Sequence, residues 1–201
     1  MVTDETHYWE KFGFFGGHVF LDFINTFDDL GKTRQLDAFN NWAELLRWSE
    51  KAGLLNEVET RSLGKQASTK ITDLELDRLR SFRESAWQVL SQTADNQSTK
   101  ANDYAALSDI LKWGYGRARL KHDGQKFQWL APIDSEDITV IRARLALSGA
   151  ELLTSDAITR IAECGSCTGL FLNTGRGVGR KWCRMKTCGN RAKIHRFRAT
   201  K

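Results

Sequence analysis

The sequence predicts a mainly α-helical protein with one small β-hairpin, followed by a short C-terminal module of different composition. Three observations support this. Apolar residues recur at helical spacing over much of the chain, an Asp123-Gly124 turn is flanked by alternating apolar residues, and all four cysteines lie after residue 163. With 201 residues, 41% of them hydrophobic, the chain can bury one medium-sized core. Its single proline and seven tryptophans exclude the collagenous and disordered classes.

Two helices are predicted in the first quarter of the chain. The first is a buried helix that starts after Gly16-Gly17, because apolar residues in 19–27 recur at the spacing of a helix face. The second starts at Asn41, which together with Glu44 forms a variant of the capping box, and it ends at Gly53.

Longer helices and the hairpin follow. Residues 73–93 place their large apolar side chains on one face, which predicts a half-buried helix, and a further helix is expected at about 103–113. Residues 117–130 alternate with period two, which is typical of a hairpin. Asp134 and Asp137 are expected to cap the last long helix of this domain.

Charge divides the chain into two parts. The whole chain has 30 Lys and Arg and 25 Asp and Glu, and residues 164–201 contain ten of the basic residues and none of the acidic ones. Residues 1–163 therefore have 20 basic and 25 acidic side chains, a net charge of −5. No stretch approaches the roughly 18 apolar residues of a membrane span, and no secretory signal is visible. We expect a cytoplasmic protein without a membrane partner.

The cysteines form two close pairs, Cys164-x-x-Cys167 and Cys183-x₄-Cys188, with 15 residues between the pairs. Four thiolates in this arrangement can converge tetrahedrally on one structural zinc ion. Three other chemistries stay open at this point. The first is a pair of disulfides, which are rare in the cytoplasm. The second is a redox-active Cys-x-x-Cys pair, which normally starts a helix in a βαβ unit. The third is an iron–sulfur cluster, although the cysteine spacing differs from that of ferredoxins.

The segment between the pairs is predicted to fold back as a hairpin, with residues 169–173 and 181–183 as its strands. A helix then follows Cys188. This arrangement predicts a treble-clef or ribbon-like zinc finger, a hairpin plus a helix, at residues 161–201 after a helical domain at residues 1–160.

Residues 189–198 contain no helix breaker and predict a short basic helix whose Ile194 and Phe197 face the zinc module. An Arg-rich helix can bind the phosphates of DNA and the edges of guanine bases in the major groove. The alternative is that these cations only keep the C-terminus solvated. His195 could also replace a cysteine as a metal ligand, although a solvated position is expected. The candidate DNA-binding residues are Arg176, Arg180, Lys181, Arg184, Lys186, Asn190, Arg191, Lys193, His195, Arg196 and Arg198.

Four polar residues in the N-terminal domain are candidate ligand-binding groups: His18, Asp22, Asn25 and Arg34. The alternative is that they satisfy buried backbone groups or one another. The sequence contains no nucleophile elbow, Walker loop, dinucleotide fingerprint or metal-hydrolase His pair, so we expect no catalytic residues and no enzyme.

Two parts of the chain resemble known families. Trp182-Cys183, followed by Cys188-Gly-Asn-Arg191, resembles the CGNR zinc finger, and Cys164-x-x-Cys167 with residues 170–174 is similar to the rest of that module. Residues 16–26 and 48–54 resemble the ABATE domain that is usually paired with this finger.

The resemblance implies a bacterial transcription regulator, described as stress-induced, in which the N-terminal domain senses a signal and the finger contacts DNA. It places metal ligation on the four cysteines and base or phosphate contacts on Asn190 and Arg191. The alternative for this pair is structural, with Asn190 capping the second cysteine pair and Arg191 packing on Trp182.

The function that we predict is therefore transcription regulation through DNA binding, with a small-molecule effector and one zinc ion. The alternative is a ligand-binding or catalytic helical domain whose finger binds RNA or protein. Because one small finger reads few base pairs, a homodimer is also expected.

Overall fold

The structure is a computed structural model that describes residues 13–28, 32–34, 36–66, 69–97, 99–133, 137–174 and 179–199. These ranges form a mainly helical protein with three separate two-stranded antiparallel sheets. The elements in chain order are α1 (Val19–Ile24), β1 (Phe27–Asp28), β2 (Leu36–Asp37), α2 (Trp42–Lys51), α3 (Glu57–Gln66), α4 (Thr69–Ala94), α5 (Ala101–Gly116), β3 (Arg119–His122), β4 (Phe127–Leu130), α6 (Val140–Leu153), a 3₁₀ helix (Asp156–Arg160), β5 (Ile161–Glu163), β6 (Leu170–Leu172), a π-helical turn (Met185–Gly189) and α7 (Asn190–Ala199).

The short helix α1 lies at the centre of the core. Its residues Phe20, Leu21, Phe23 and Ile24 are fully buried, and the helix packs against α4, α6 and β6. Gly149 in α6 permits this packing, because a Cβ atom there would lie 2.7 Å from the ring of Phe20. The burial of four of its six residues explains why this helix is stable, although it would be too short in isolation.

The predicted helix after Gly16-Gly17 is confirmed, but it is shorter than the apolar pattern indicates. The helix ends at Ile24, and Phe27 lies in β1, where it pairs with Asp37. The Thr26 hydroxyl donates to the Phe23 carbonyl in the last turn. Helical spacing thus continued past the true end of the helix because the next apolar side chain, Phe27, is half-buried from a strand.

Capping defines the next two helices. Asn41 accepts a hydrogen bond from the Glu44 amide at the start of α2, as predicted, and Gly53 follows the helix with φ +74°, a conformation that favours glycine. Helix α3 was missed by our interpretation of the sequence. Asn56 and Glu59 form a reciprocal capping box at its start, so the sequence did contain its signal.

The later helices and the β3–β4 hairpin are confirmed with shifted bounds. Helix α4 begins four residues before the predicted position, and α5 extends beyond both predicted ends. Helix α6 starts at Val140, and just before it the Asp137 carboxylate accepts a hydrogen bond from the Thr139 amide. Asp134, the other predicted cap, lies outside the described residues. The hairpin pairs Leu120 with Trp129.

The predicted strand pairing inside the C-terminal module is wrong. Strand β6 pairs with β5, in the register Ile161↔Leu172, and residues 181–183 form no strand. A bond from the Gly165 amide to the Lys181 carbonyl holds that segment instead. The β5–β6 pairing prevails because Ile161 and Leu170 are buried in the main core. The first cysteine pair is therefore built into the body of the protein.

A buried arginine ties the β1–β2 hairpin to α4. The side chain of Arg83 is 1% exposed and donates to both carboxylate oxygens of Asp37, at 2.9 and 2.6 Å. Burial acts to raise the pKa of Asp37, but the hydrogen bonds and charge of Arg83 outweigh it and hold the pKa below its ordinary value.

Candidate metal centre

The four cysteines meet at one point. Cys164 and Cys167 lie in the loop between β5 and β6, Cys183 precedes the π-helical turn, and Cys188 lies within that turn. Their sulfur atoms all lie within 4.8 Å of one another. Two of the distances are 3.7 Å, between Cys167 and Cys183, and 3.4 Å, between Cys183 and Cys188.

This spacing fits a tetrahedral zinc–thiolate centre. With zinc–sulfur bonds of about 2.3 Å, the sulfurs of such a centre are roughly 3.8 Å apart. Cys164, Cys183 and Cys188 are at most 5% exposed, and Cys167 is half-buried. Four thiolates complete the coordination of zinc and leave no position for a substrate. The centre therefore holds one structural zinc, as predicted.

The loop between the first two cysteines is organised around their sulfurs. The Ser166 amide donates to Cys164 Sγ at 3.5 Å, and the Gly169 amide donates to Cys167 Sγ at 3.4 Å. Hydrogen bonds from the thiols of the other three cysteines lower the pKa of Cys164 well below its ordinary value. Hydrogen bonds with Cys164 raise the pKa of the Cys167 and Cys183 thiols, so metal binding must displace the protons that these two thiols hold.

The second pair of cysteines leads directly into a helix. The π-helical turn carries Cys188 and continues without interruption into α7, as the wide spacing of this pair predicts. Gly189 is tightly packed, because a Cβ atom there would lie 2.5 Å from the sulfur of Met185. The Asn190 side chain donates to the Lys186 carbonyl at 3.2 Å, so it does cap this turn.

Most of the candidate DNA-binding side chains are exposed on α7 and the residues before it. The exposed members are Arg180, Lys181, Lys186, Asn190, Lys193, His195, Arg196 and Arg198. Arg184 and Arg191 are half-buried, and Arg176 lies outside the described residues.

The prediction that two apolar residues of α7 anchor it to the zinc module is wrong. Ile194 is 52% exposed and Phe197 is 64% exposed. Helix α7 contacts the module through its first turn, where Arg191 and Ala192 are half-buried. The apolar pair faces solvent because the helix continues away from the cysteines.

The four polar residues of the N-terminal domain lie in two places. His18 and Asp22 lie at the start of α1, and Asn25 and Arg34 lie where the domain contacts the finger. His18 caps α1 by accepting from the Phe20 amide at 3.2 Å, and burial lowers its pKa. Asp22 accepts from the amides of Phe15 and Gly16 at 2.8 and 2.7 Å. Both side chains satisfy backbone groups, as the structural alternative predicts.

Asn25 and Arg34 connect the N-terminal domain to the finger. Asn25 exchanges two hydrogen bonds with the backbone of Leu170 in β6, at 2.8 and 2.9 Å. Arg34 donates to the Thr168 hydroxyl at 3.1 Å and forms two hydrogen bonds with Glu84. Its guanidinium lies 4.5 Å from the Trp87 ring centroid. A role of these residues in ligand binding stays a prediction.

Comparison with protein-family models matches this architecture. Residues 17–156 match the ABATE model, described as "Putative stress-induced transcription regulator". The chain belongs to the ABATE family. Residues 160–201 match the model of the CGNR zinc finger, which includes the four cysteines of the cluster. A search of curated proteins found no match.

The ABATE domain also contains a groove that our sequence interpretation missed. The groove has a volume of about 910 Å³ and lies between the β3–β4 hairpin, α6 and the connection from α2 to α3. Tyr115, Phe127 and Trp129 line one side, and all three are more than 40% exposed. The alternating pattern of the hairpin could have indicated it, since a two-stranded sheet leaves one face uncovered.

Among the described residues, the ABATE and finger segments contain no helix of the length and hydropathy that a membrane span needs.

Proposed function

We propose that this ABATE-family protein regulates transcription by binding DNA through its CGNR zinc finger, without catalysing a reaction. The observation that carries this proposal is the charge of residues 164–201, which contain ten cations and no anion. Zinc holds the first turn of α7 beside the body while the later turns extend into solvent. A phosphate backbone is the partner that such a surface suits best.

The salt dependence of DNA binding tests this proposal in the full chain. Each phosphate contact contributes about −0.9 to the slope of log K against log salt, so Lys193→Gln with Arg198→Gln should flatten the slope by up to about 1.8. Both side chains are exposed on α7. Fluorescence anisotropy of a labelled duplex at several salt concentrations measures the slope.

The matched control is Lys51→Gln with Lys65→Gln, which removes two exposed cations from the ABATE domain. This control should leave the slope unchanged. Equal effects of the two pairs would show that only the net charge of the protein matters. Absence of duplex binding at low salt with zinc present would refute the proposed function.

We place the effector of this regulator in the groove beside the β3–β4 hairpin. Its volume of about 910 Å³ lies within the range of about 300–1,000 Å³ that is usual for small-molecule sites. The aromatic wall formed by Phe127 and Trp129 provides apolar contact area. Saturation-transfer NMR with a small-molecule library can identify ligands of the full chain.

Ligands of this groove should lose their signal with Trp129→Ala and keep it with Tyr104→Ala. Tyr104 is a suitable control because it is a 43% exposed aromatic residue that does not line the groove. Equal responses of both variants would place the effector elsewhere.

A further inference from the structure

Arg191, the last residue of the CGNR tetrapeptide, lies beside the cysteine cluster. Its guanidinium Nη2 is 4.0 Å from Cys188 Sγ, and its side chain is half-buried. It shares the lining of a small cavity of about 30 Å³ with Cys167, Cys183 and Cys188. Residues 193–199 of the same helix are exposed, so Arg191 differs from the cations that follow it.

The two cysteine pairs differ in what stabilises their sulfurs. In the first pair, Cys164 and Cys167 accept hydrogen bonds from the backbone amides of Ser166 and Gly169. In the second pair, Cys188 lies in the π-helical turn that follows Cys183, and its Sγ meets the thiol of Cys183 and the guanidinium of Arg191. The donor to a sulfur of the second pair is thus the side chain of Arg191, whereas the donors to the sulfurs of the first pair are backbone amides.

A charged donor matters at this position. Four thiolates and one Zn²⁺ carry a net charge of −2, and the burial of three of the four cysteines removes the water that would solvate it. Donors to the coordinating atoms orient them and strengthen metal binding. A guanidinium supplies both a hydrogen bond and a compensating positive charge.

We propose that Arg191 is a positioning residue of the zinc centre, which donates a hydrogen bond to the Cys188 thiolate and offsets the negative charge of the bound metal. This role is independent of DNA. The DNA contacts of α7 then come from the exposed cations that follow Arg191 in the helix.

Zinc competition with a chromophoric chelator tests this role in the full chain. Arg191→Gln should weaken zinc binding by about 10- to 100-fold, the range found when a supporting partner of a metal ligand is lost. Arg191→Lys keeps the charge and should fall between that variant and the original protein. Arg198→Gln is the matched control, because it removes an exposed cation from the same helix and should leave zinc affinity unchanged.

Cobalt substitution at saturating metal gives a second readout that does not depend on affinity. A donor to the Cys188 thiolate lowers the energy of the sulfur lone pairs, so its loss in Arg191→Gln should shift the thiolate-to-cobalt charge-transfer band to longer wavelength. Arg198→Gln should not shift it. If Arg191→Gln leaves zinc affinity within about twofold and the band in place, the proposal is overturned. A loss of DNA binding alone would then assign Arg191 to DNA.

Discussion

The carboxylate of Asp22 should make the stability of this protein depend on pH. Its Oδ1 accepts hydrogen bonds from two amides, but burial outweighs them and raises its pKa from 3.8 to about 6. The charges of Arg180 and Arg184 act in the opposite direction and are weaker. The folded protein therefore binds a proton at Asp22 more tightly than the unfolded chain does.

The sign and size of the effect follow from linkage. A raised pKa contributes stability that is fully present below the ordinary pKa and is lost as pH rises through the folded value, here between about pH 4 and pH 6. A shift of about two units corresponds to roughly 3 kcal/mol, and residual solvent access reduces this to about 2–3 kcal/mol. The amide oxygen of Asp22→Asn can accept the same two hydrogen bonds without a charge.

Urea unfolding of both proteins, followed by tryptophan fluorescence from pH 4 to pH 7.5, measures this effect. The stability of Asp22→Asn relative to the original protein should increase by about 2–3 kcal/mol over that interval. Loss of zinc at low pH affects both proteins and cancels in the difference. Asp109→Asn, at an exposed carboxylate, is the control and should give a small, constant difference. A constant difference for Asp22→Asn as well would show that this carboxylate is not desolvated.

Three further predictions concern contacts inside the body of the protein and between the body and the finger. Asn25→Ala leaves the buried N–H and C=O of Leu170 without their partner and should lower the unfolding free energy by about 2–4 kcal/mol, measured by urea unfolding. Arg83→Met removes the buried cation beside Asp37, leaves this carboxylate with the more exposed Arg80, and should cost up to about 3–5 kcal/mol, part of which Arg83→Met with Asp37→Leu should restore. Removal of zinc with a chelator should abolish the hydrogen-exchange protection of residues 183–199 and preserve that of β5 and β6; loss of protection in all of these segments would contradict the structure.

The metal cluster could be predicted from the sequence because cysteine spacing carries its own geometric information. Two close pairs separated by a short loop have few ways to arrange four thiolates around an ion, and the observed cluster follows that expectation. The Asn41 cap is equally local, since its partner Glu44 is three residues away. Both of these signals are confined to a few residues, although the equally local capping box of Asn56 and Glu59 was missed.

Features that depend on distant partners were not predictable in this way. Strand β6 was predicted to pair with residues 181–183, and the burial of Ile161 in the core explains why it pairs with β5 instead. The exposure of Ile194 and Phe197 likewise depends on the direction in which α7 leaves the cysteines. Helical spacing shows that two residues share a face, but it does not show what that face meets.

The four cysteines are divided between two structural units, the β5–β6 hairpin and the segment that leads into α7, and this division determines how the finger is attached to the body. Cys164 and Cys167 lie on a hairpin whose Ile161 and Leu170 are buried in the main core, whereas Cys183 precedes the turn that carries α7. A fragment that starts at residue 160 would expose those apolar side chains, so its failure to bind DNA would not refute the proposed function. Zinc joins the two units by ligating both pairs. The position of α7 relative to the body therefore depends on the metal, and the proposed DNA binding must be tested on the full chain with bound zinc.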